Sequence, residues 1–286
     1  MKSLSLIILF LSSSILSFSQ NTPTEAAMPI VEEGKRLYRS EMASWYGTDL
    51  FMERYNRREN IGGYFSYGDK HVTNCIFFSR EEVPQVIGTI VFDSTFSVST
   101  AITDLEVRPF TPLEKDLYEM RQHAMDAIRT DTLFKVYENT NLNLVPLIHN
   151  GGKKVYVLCG PQVGGVVIFG NDYLLTFNAD NEVVSTKQLH RNIIPIYYET
   201  KEGEVQEKTI HSHLPETGAF MTATDICTLL LYAPYTTWKT HEVLSREYLN
   251  IWNCKTNTLL VLPHEILEKI SKDVDKRKKK RKRNKQ

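Results

Sequence analysis

The sequence predicts an α+β fold with a mainly antiparallel sheet. Segments rich in Val, Ile, Thr, Phe and Tyr alternate with turn-forming residues through most of the chain, which is typical of antiparallel strands. Helix start signals occur at only four places. The composition, 42% hydrophobic and 24% charged over 286 residues, is that of a globular protein of one large or two small domains. Helices are expected near 30–55, 111–129, 222–232 and 263–275.

The first half, residues 29–136, is predicted to be an N-terminal α+β region. Apolar residues fall at helical spacing from Pro29 to about Tyr55, and a proline suits the first turn of a helix. A second helix is indicated by Thr111 followed by Pro112 and Glu114, because Thr with an acidic residue three places later forms a capping box. Between the helices, strands are expected at 62–68, 71–79, 84–93 and 97–107.

The second half, residues 137–270, is predicted to be β-rich. Turn sequences such as Asn-Gly-Gly and Gly-Asn-Asp separate short apolar runs. A helix of about ten residues is expected near Thr222 because Thr-Ala-Thr-Asp resembles a capping box. An amphipathic helix is expected from Pro263 to about Asp275. The predicted strands are 142–149, 153–160, 165–170, 172–177, 182–189, 194–199, 205–213, 248–254 and 257–263.

Residues 1–19 have the layout of a secretory signal peptide. One lysine precedes an apolar run at 4–16, and small residues Ser17 and Ser19 precede the expected cleavage site. The alternative is an uncleaved anchor, but the run is shorter than the roughly 20 residues of a spanning helix. We expect an exported protein, periplasmic or secreted, with a linker at 20–28 and no transmembrane segment after signal cleavage.

The formal net charge of zero combines an acidic body with a basic tail. Residues 276–286 contain nine Lys or Arg and no acidic residue. Without them and Lys2, 24 basic residues face 34 acidic ones, which argues against specific nucleic-acid binding by the body. The predicted disordered tail, residues 271–286, is suited to an anionic surface such as lipid or glycolipid. Non-specific nucleic-acid binding, contact with the acidic body and a merely solvated tail are the alternatives.

The four cysteines do not form a recognisable framework. They lie in apolar segments and no CxxC pair occurs, so free thiols are expected more than disulfides, although export would permit either.

The best candidate for chemistry is His211-Ser-His213 followed by Asp225. Two histidines at i and i+2 of a strand point to the same face and can reach one metal ion. Asp225 falls in the first turn of the following helix, where a tight turn could bring its carboxylate to the same point. Two His and one Asp leave a fourth tetrahedral position for a water, whose pKa a zinc ion lowers toward about 7.

This pattern resembles the JAMM (MPN or JAB) metallopeptidase motif, His-x-His, seven residues, then Ser-x-x-Asp. The resemblance implies that His211, His213 and Asp225 bind zinc and that Thr222 replaces the serine near the oxyanion. It also implies a catalytic Glu on an earlier strand, for which Glu138 is the candidate. The chain differs by one additional residue in the spacing, by Thr for Ser and by Leu directly after the second His.

Two functions follow from these observations. The first is hydrolysis of amide or peptide bonds by zinc-activated water, with His190 as a further ligand or proton shuttle. The second is a non-enzymatic envelope or secreted protein that binds an unidentified peptide or envelope component and is anchored by its cationic tail. In that case Thr222 and Asp225 merely cap a helix, and the histidines need not converge.

Overall fold

The computed structural model describes residues 22–199, 205–269 and 272 and confirms a mixed, sheet-dominated α+β fold. The signal peptide predicted at 1–19, and all of the predicted tail at 271–286 apart from residue 272, lie outside the described residues. The helices are α1 (Pro23–Arg54), α2 (Pro112–Thr130), α3 (Ala223–Tyr232) and a fourth that is described over 264–269.

Helix α1 begins six residues before the predicted start at Pro29. Thr22 accepts a hydrogen bond from the backbone of Glu25, and the Glu25 side chain accepts one from the backbone of Thr22. This capping box satisfies amide groups that a helix start leaves free. Residues 23–28, predicted as linker, are therefore helical, and the early Pro23 rather than Pro29 occupies the first turn.

The first half folds as an antiparallel sheet in the order β1-β2-β3-β4, against which the second half of α1 packs. Only three residues of the strand predicted at 97–107 are extended. Ser97 and Thr100 instead form a turn, since Thr100 donates both its amide and its hydroxyl to the Ser97 carbonyl. Local bonds of this kind compete with the strand ladder. The strands are β1 (Ile61–Gly68), β2 (Val72–Ser79), β3 (Val86–Asp93) and β4 (Ile102–Asp104).

The second half starts with an antiparallel sheet in the order β5-β6-β8-β9, covered by α2, and a separate β7–β10 pair. The apolar face of α2, including Met120 and Ala124, packs on Val155, Val157 and Tyr173 in one core cluster. The strands are β5 (Thr140–His149), β6 (Gly152–Pro161), β7 (Val166–Gly170), β8 (Tyr173–Phe177), β9 (Val183–Gln188) and β10 (Ile193–Tyr197).

A last sheet, in the order β11-β12-β13-β14, contains the one parallel pair of named strands among the described residues. Helix α3 connects β11 to β12, and this crossover makes the two strands parallel. Strand β12 was not predicted. The strands are β11 (Lys208–Ser212), β12 (Thr240–Leu244), β13 (Tyr248–Asn253) and β14 (Thr258–Pro263).

Helices α1 and α3 pack closely at Gly34. A Cβ atom there would lie 2.7 Å from Cβ of Ile226, so only glycine permits this approach. The four cysteines are free thiols, as expected. Among the described residues, no helix combines the length and the apolar character required to span a membrane.

Candidate metal centre

A buried cluster of three histidines and one aspartate lies where the β9–β10 connection, strand β11 and the first turn of α3 meet. Its members are His190, His211, His213 and Asp225, and their exposed fractions are 2%, 7%, 6% and 1%. His211 and His213 reach the same point because alternate residues of an extended chain share a face. Four buried polar side chains need partners to offset their loss of water.

The ligand atoms of the cluster are close enough together to bind one metal ion. His213 Nε2 is 3.0 Å from His190 Nε2 and 3.1 Å from Asp225 Oδ2. Asp225 Oδ1 is 3.5 Å from His190 Nε2 and 3.6 Å from His211 Nε2. One ligand atom from each residue can be chosen so that all four lie within 4.8 Å of one another. Tetrahedral zinc with bonds near 2.0–2.1 Å has ligand–ligand edges of about 3.3 Å, inside the observed range.

Asp172, at the start of β8, orients His190. Its Oδ1 is 2.7 Å from His190 Nδ1 and accepts the His190 amide, and its Oδ2 accepts the Thr224 hydroxyl. The preceding turn passes close beneath the His190 segment at Gly170, where φ is +73° and a Cβ would collide with the Asn192 carbonyl oxygen. A glycine is therefore required for Asp172 to reach this imidazole.

A second hydrogen-bonded chain orients His211. Its Nδ1 lies 2.9 Å from Nε2 of His241, a fully buried residue of β12, whose Nδ1 lies 2.7 Å from the Thr209 hydroxyl. Donation along this chain leaves Nε2 of His211 as a lone-pair ligand directed into the cluster. That atom has no hydrogen-bond partner among the described residues, which is the condition expected of a metal ligand.

Asp225 serves two purposes at once. Its backbone amide donates to the Thr222 hydroxyl at 3.0 Å, and its Oδ2 accepts the Thr222 amide at 2.8 Å, completing the cap of α3. Its other oxygen, Oδ1, has no hydrogen-bond partner within the part of the chain described and faces His190 and His211. The capping interpretation and the convergence of the histidines are therefore both correct.

Burial and the two carboxylates give the histidines of this region different charges. Burial lowers the pKa of His211 to about 4 and of His241 to about 3, so both are neutral at pH 7. Burial opposes ionisation of His190, but the carboxylates of Asp172 and Asp225 outweigh it and raise its pKa to about 9. Burial likewise opposes the charge on Asp225, but the three histidines hold its pKa well below the ordinary value.

The structure places the remaining candidates as follows. Thr222 is the N-cap of α3, beside the cluster. Glu138, the proposed general base, is exposed in the turn before β5 and belongs to neither the cluster nor its adjacent pocket. His190, predicted as a ligand or proton shuttle, joins the cluster. Asp172 and His241 were not singled out: Asp172 directly follows a Gly-Asn turn, and His241 lies in the polar segment Thr-His-Glu, which carries no strand pattern.

A pocket of about 400 Å³ borders the cluster on one side. His190 and His211 line it, together with Asn192, Ile210 and Thr217. Comparison of the chain with protein-family models, curated proteins and solved structures gave no match.

Proposed function

We propose that this chain binds one zinc ion through His190, His211, His213 and Asp225, and that the ion has a structural role. The supporting observation is that four buried residues bring their ligand atoms within 4.8 Å of one another, and that two of these atoms, His211 Nε2 and Asp225 Oδ1, lack hydrogen-bond partners in the described part of the chain. The ion would join the β9–β10 connection, strand β11 and helix α3, which belong to different layers of the fold.

The position of His190 favours a closed centre over a catalytic one. A catalytic zinc keeps one coordination position for water, whereas a structural zinc has four protein ligands. His190 Nε2 lies 3.0 Å from His213 Nε2 and 3.5 Å from Asp225 Oδ1, so it stands at the fourth vertex, where the water would bind.

The donor set and charge balance both suit zinc. Three imidazoles and one carboxylate are typical zinc ligands, whereas Ca²⁺ and Mg²⁺ prefer oxygen. The two charges of the ion would be neutralised by Asp225 and by Asp172, which contacts the ion's ligand His190. Buried charge is tolerated when it is paired in this way.

Hydrolysis of amide or peptide bonds, as the JAMM likeness implies, is the second candidate. The pocket bordering His190 and His211 favours it, because a substrate could approach the ion from that side. This function requires His190 to leave the ion and admit water. His190, held by Asp172, would then be the proton shuttle, with Thr222 near the oxyanion, while Glu138 does not belong to the cluster.

Export and surface attachment are part of the same proposal. The signal-like segment 1–19 supports export to the periplasm or medium, and the basic residues of 276–286 support attachment to an anionic surface. A non-enzymatic protein at the envelope, stabilised by zinc, accommodates both. N-terminal sequencing of the protein recovered from its native host tests the cleavage before Gln20.

Elemental analysis of the purified protein, followed by cobalt substitution, tests the proposed centre. We expect about one zinc per chain in the wild type and in the control His149→Ala, an exposed histidine, and none in His211→Ala. The visible spectrum of the cobalt-substituted protein should be that of a tetrahedrally coordinated ion, and azide should not change it. A spectrum that shifts with azide shows an open coordination position on the metal and favours the hydrolytic function. Absence of metal after zinc is added refutes both the structural and the catalytic zinc centre.

A further inference from the structure

A wide cavity lies away from the histidine cluster and shares no residue with it. It has a volume of about 740 Å³ and opens between the middle of α1, the C-terminal end of α3 and the β6–β7 turn. Pockets of this size accommodate small organic ligands. Helix α3 contributes Asp225 to the metal centre at its first turn and Leu231 and Tyr232 to this cavity at its last.

Five aromatic side chains line the cavity. Trp45 packs against Tyr232 and Tyr235 with ring centroids 6.5 Å and 6.4 Å apart, and Tyr64 and Tyr198 also line the cavity. Trp45 is 46% exposed and Tyr235 is 59% exposed, which is unusual for such large rings. Ring faces that remain accessible inside a cavity are suited to contact with a ligand.

The charged side chains that line the cavity are all acidic. Glu41 and Asp49 lie on the same face of α1 as Trp45, and none of the described residues that line the cavity is Lys, Arg or His. Glu41 accepts hydrogen bonds only from the Asn143 amide, at 2.8 Å and 2.7 Å, among the described residues. A carboxylate can accept about four hydrogen bonds, so the Glu41 carboxylate has fewer donors around it than it can use.

The groups that face Glu41 supply no counter-charge. They are Tyr64 from β1, Cys75 from β2, and Cys227 and Tyr232 from α3. Burial raises the pKa of each of these four, so all are neutral at pH 7. Burial also raises the pKa of Glu41, to about 7, against the opposing hydrogen bond from Asn143. An anionic ligand would be repelled, and a neutral one would leave the carboxylate uncompensated.

We propose that this cavity binds an organic cation, a quaternary or alkylated ammonium group carried on a small molecule, with Glu41 as counter-charge and Trp45, Tyr232 and Tyr235 as cation–π partners. Aromatic faces attract such cations through the ring quadrupole, and a desolvated carboxylate neutralises them. The proposal is independent of the zinc centre.

Choline and its neutral isostere 3,3-dimethylbutan-1-ol are the probes that separate charge from shape. We expect choline to bind the wild type and to change its fluorescence through Trp45, since Trp238 and Trp252 are only 5% and 0% exposed. The isostere should bind at least about tenfold more weakly, because it lacks the cation. Equal binding of both probes, or no calorimetric response to choline, overturns the proposal.

Variants distinguish a ligand contact from a structural effect. Glu41→Gln keeps the shape and should weaken choline binding at least about tenfold, whereas Glu53→Gln, an exposed position on the same helix, should not. Trp45→Leu should weaken it about 5- to 30-fold, with retention of the folded circular-dichroism spectrum. Affinity in the wild type should rise about tenfold from pH 6 to pH 8 as Glu41 ionises. A wild-type affinity in Glu41→Gln refutes the assignment.

Discussion

Substitution of Asp225 by Asn separates the two interactions that this side chain makes. The amide oxygen of Asn can still accept the Thr222 backbone amide, so the cap of α3 is retained. The charge is lost, and an amide is a much weaker zinc ligand than a carboxylate. If the cluster binds zinc, Asp225→Asn should lose the metal and the stability that depends on it, although the helix start is preserved.

The expected size follows from linkage between binding and folding. With free zinc at 1,000 times the dissociation constant, an ion that binds only the folded chain adds about 4 kcal/mol to the free energy of unfolding. For a chain of this size, that corresponds to roughly 10 °C in melting temperature. Calorimetric scans with zinc and with a chelator should therefore differ by this amount in the wild type and coincide in Asp225→Asn.

Thr222→Ala is the matched control, because it removes the other half of the same cap. Loss of the Thr222 hydroxyl should cost about 1 kcal/mol through the cap alone. Zinc content and the difference between the two scans should stay as in the wild type. If Asp225→Asn retains the zinc-dependent shift, Asp225 is not a ligand and only caps its helix. If the wild type shows no shift, the metal centre itself is refuted.

Three further predictions concern titratable groups. Zinc binding to the metal-free protein near pH 7.5 should release about one proton, because His190, whose pKa is about 9, must lose its proton to bind the ion. Calorimetry in buffers of different ionisation enthalpy measures this release. A binding heat that does not change with the buffer contradicts it. Burial raises the pKa of Glu41 to about 7, above the value near 4.5 of the unfolded chain, so the free energy of unfolding should fall as pH rises between these two values. In urea titrations, Glu41→Gln should therefore be about 2 kcal/mol more stable than the wild type at pH 8 and little different at pH 4. An equal gain at both pH values would refute this. The ion pair with Arg108 outweighs the effect of burial and holds the pKa of Glu114 at about 2. The stability that this ion pair provides is present above pH 4.5 and lost toward pH 2. Glu114→Gln should lower the free energy of unfolding by about 2 kcal/mol at pH 7 and progressively less in acid, and a pH-independent loss would contradict the ion pair.

Part of the metal centre could be predicted because its signals are local. The i, i+2 spacing of His211 and His213 determines that they share a face, and the helix start places Asp225 within the next turn. His190 lies 21 residues before His211, and nothing in the intervening sequence specifies that the β9–β10 connection folds over β11. The pairing of Asp172 with His190 likewise depends on tertiary packing.

The fold class was predictable from alternation, and the exceptions have physical reasons. The segment at 97–107 has strand-like composition, yet its Ser and Thr side chains bond to one another and to the local backbone. Strand β12 was missed because polar Thr240, His241 and Glu242 occupy three of its five positions. The burial of His241 is explained by its partners on β11, which the local sequence does not reveal.

The contact between α1 and β14 has a consequence for the order in which the chain folds. The Thr24 hydroxyl accepts the amide of Val261 at 3.0 Å, and Ala27 and Val31 share a core cluster with Leu259 and Val261. During synthesis, the first turns of α1 cannot complete their packing until residues 258–263 have left the ribosome. This core is therefore completed only after almost all of the described residues have been synthesised, so its formation depends on contacts far apart in the sequence.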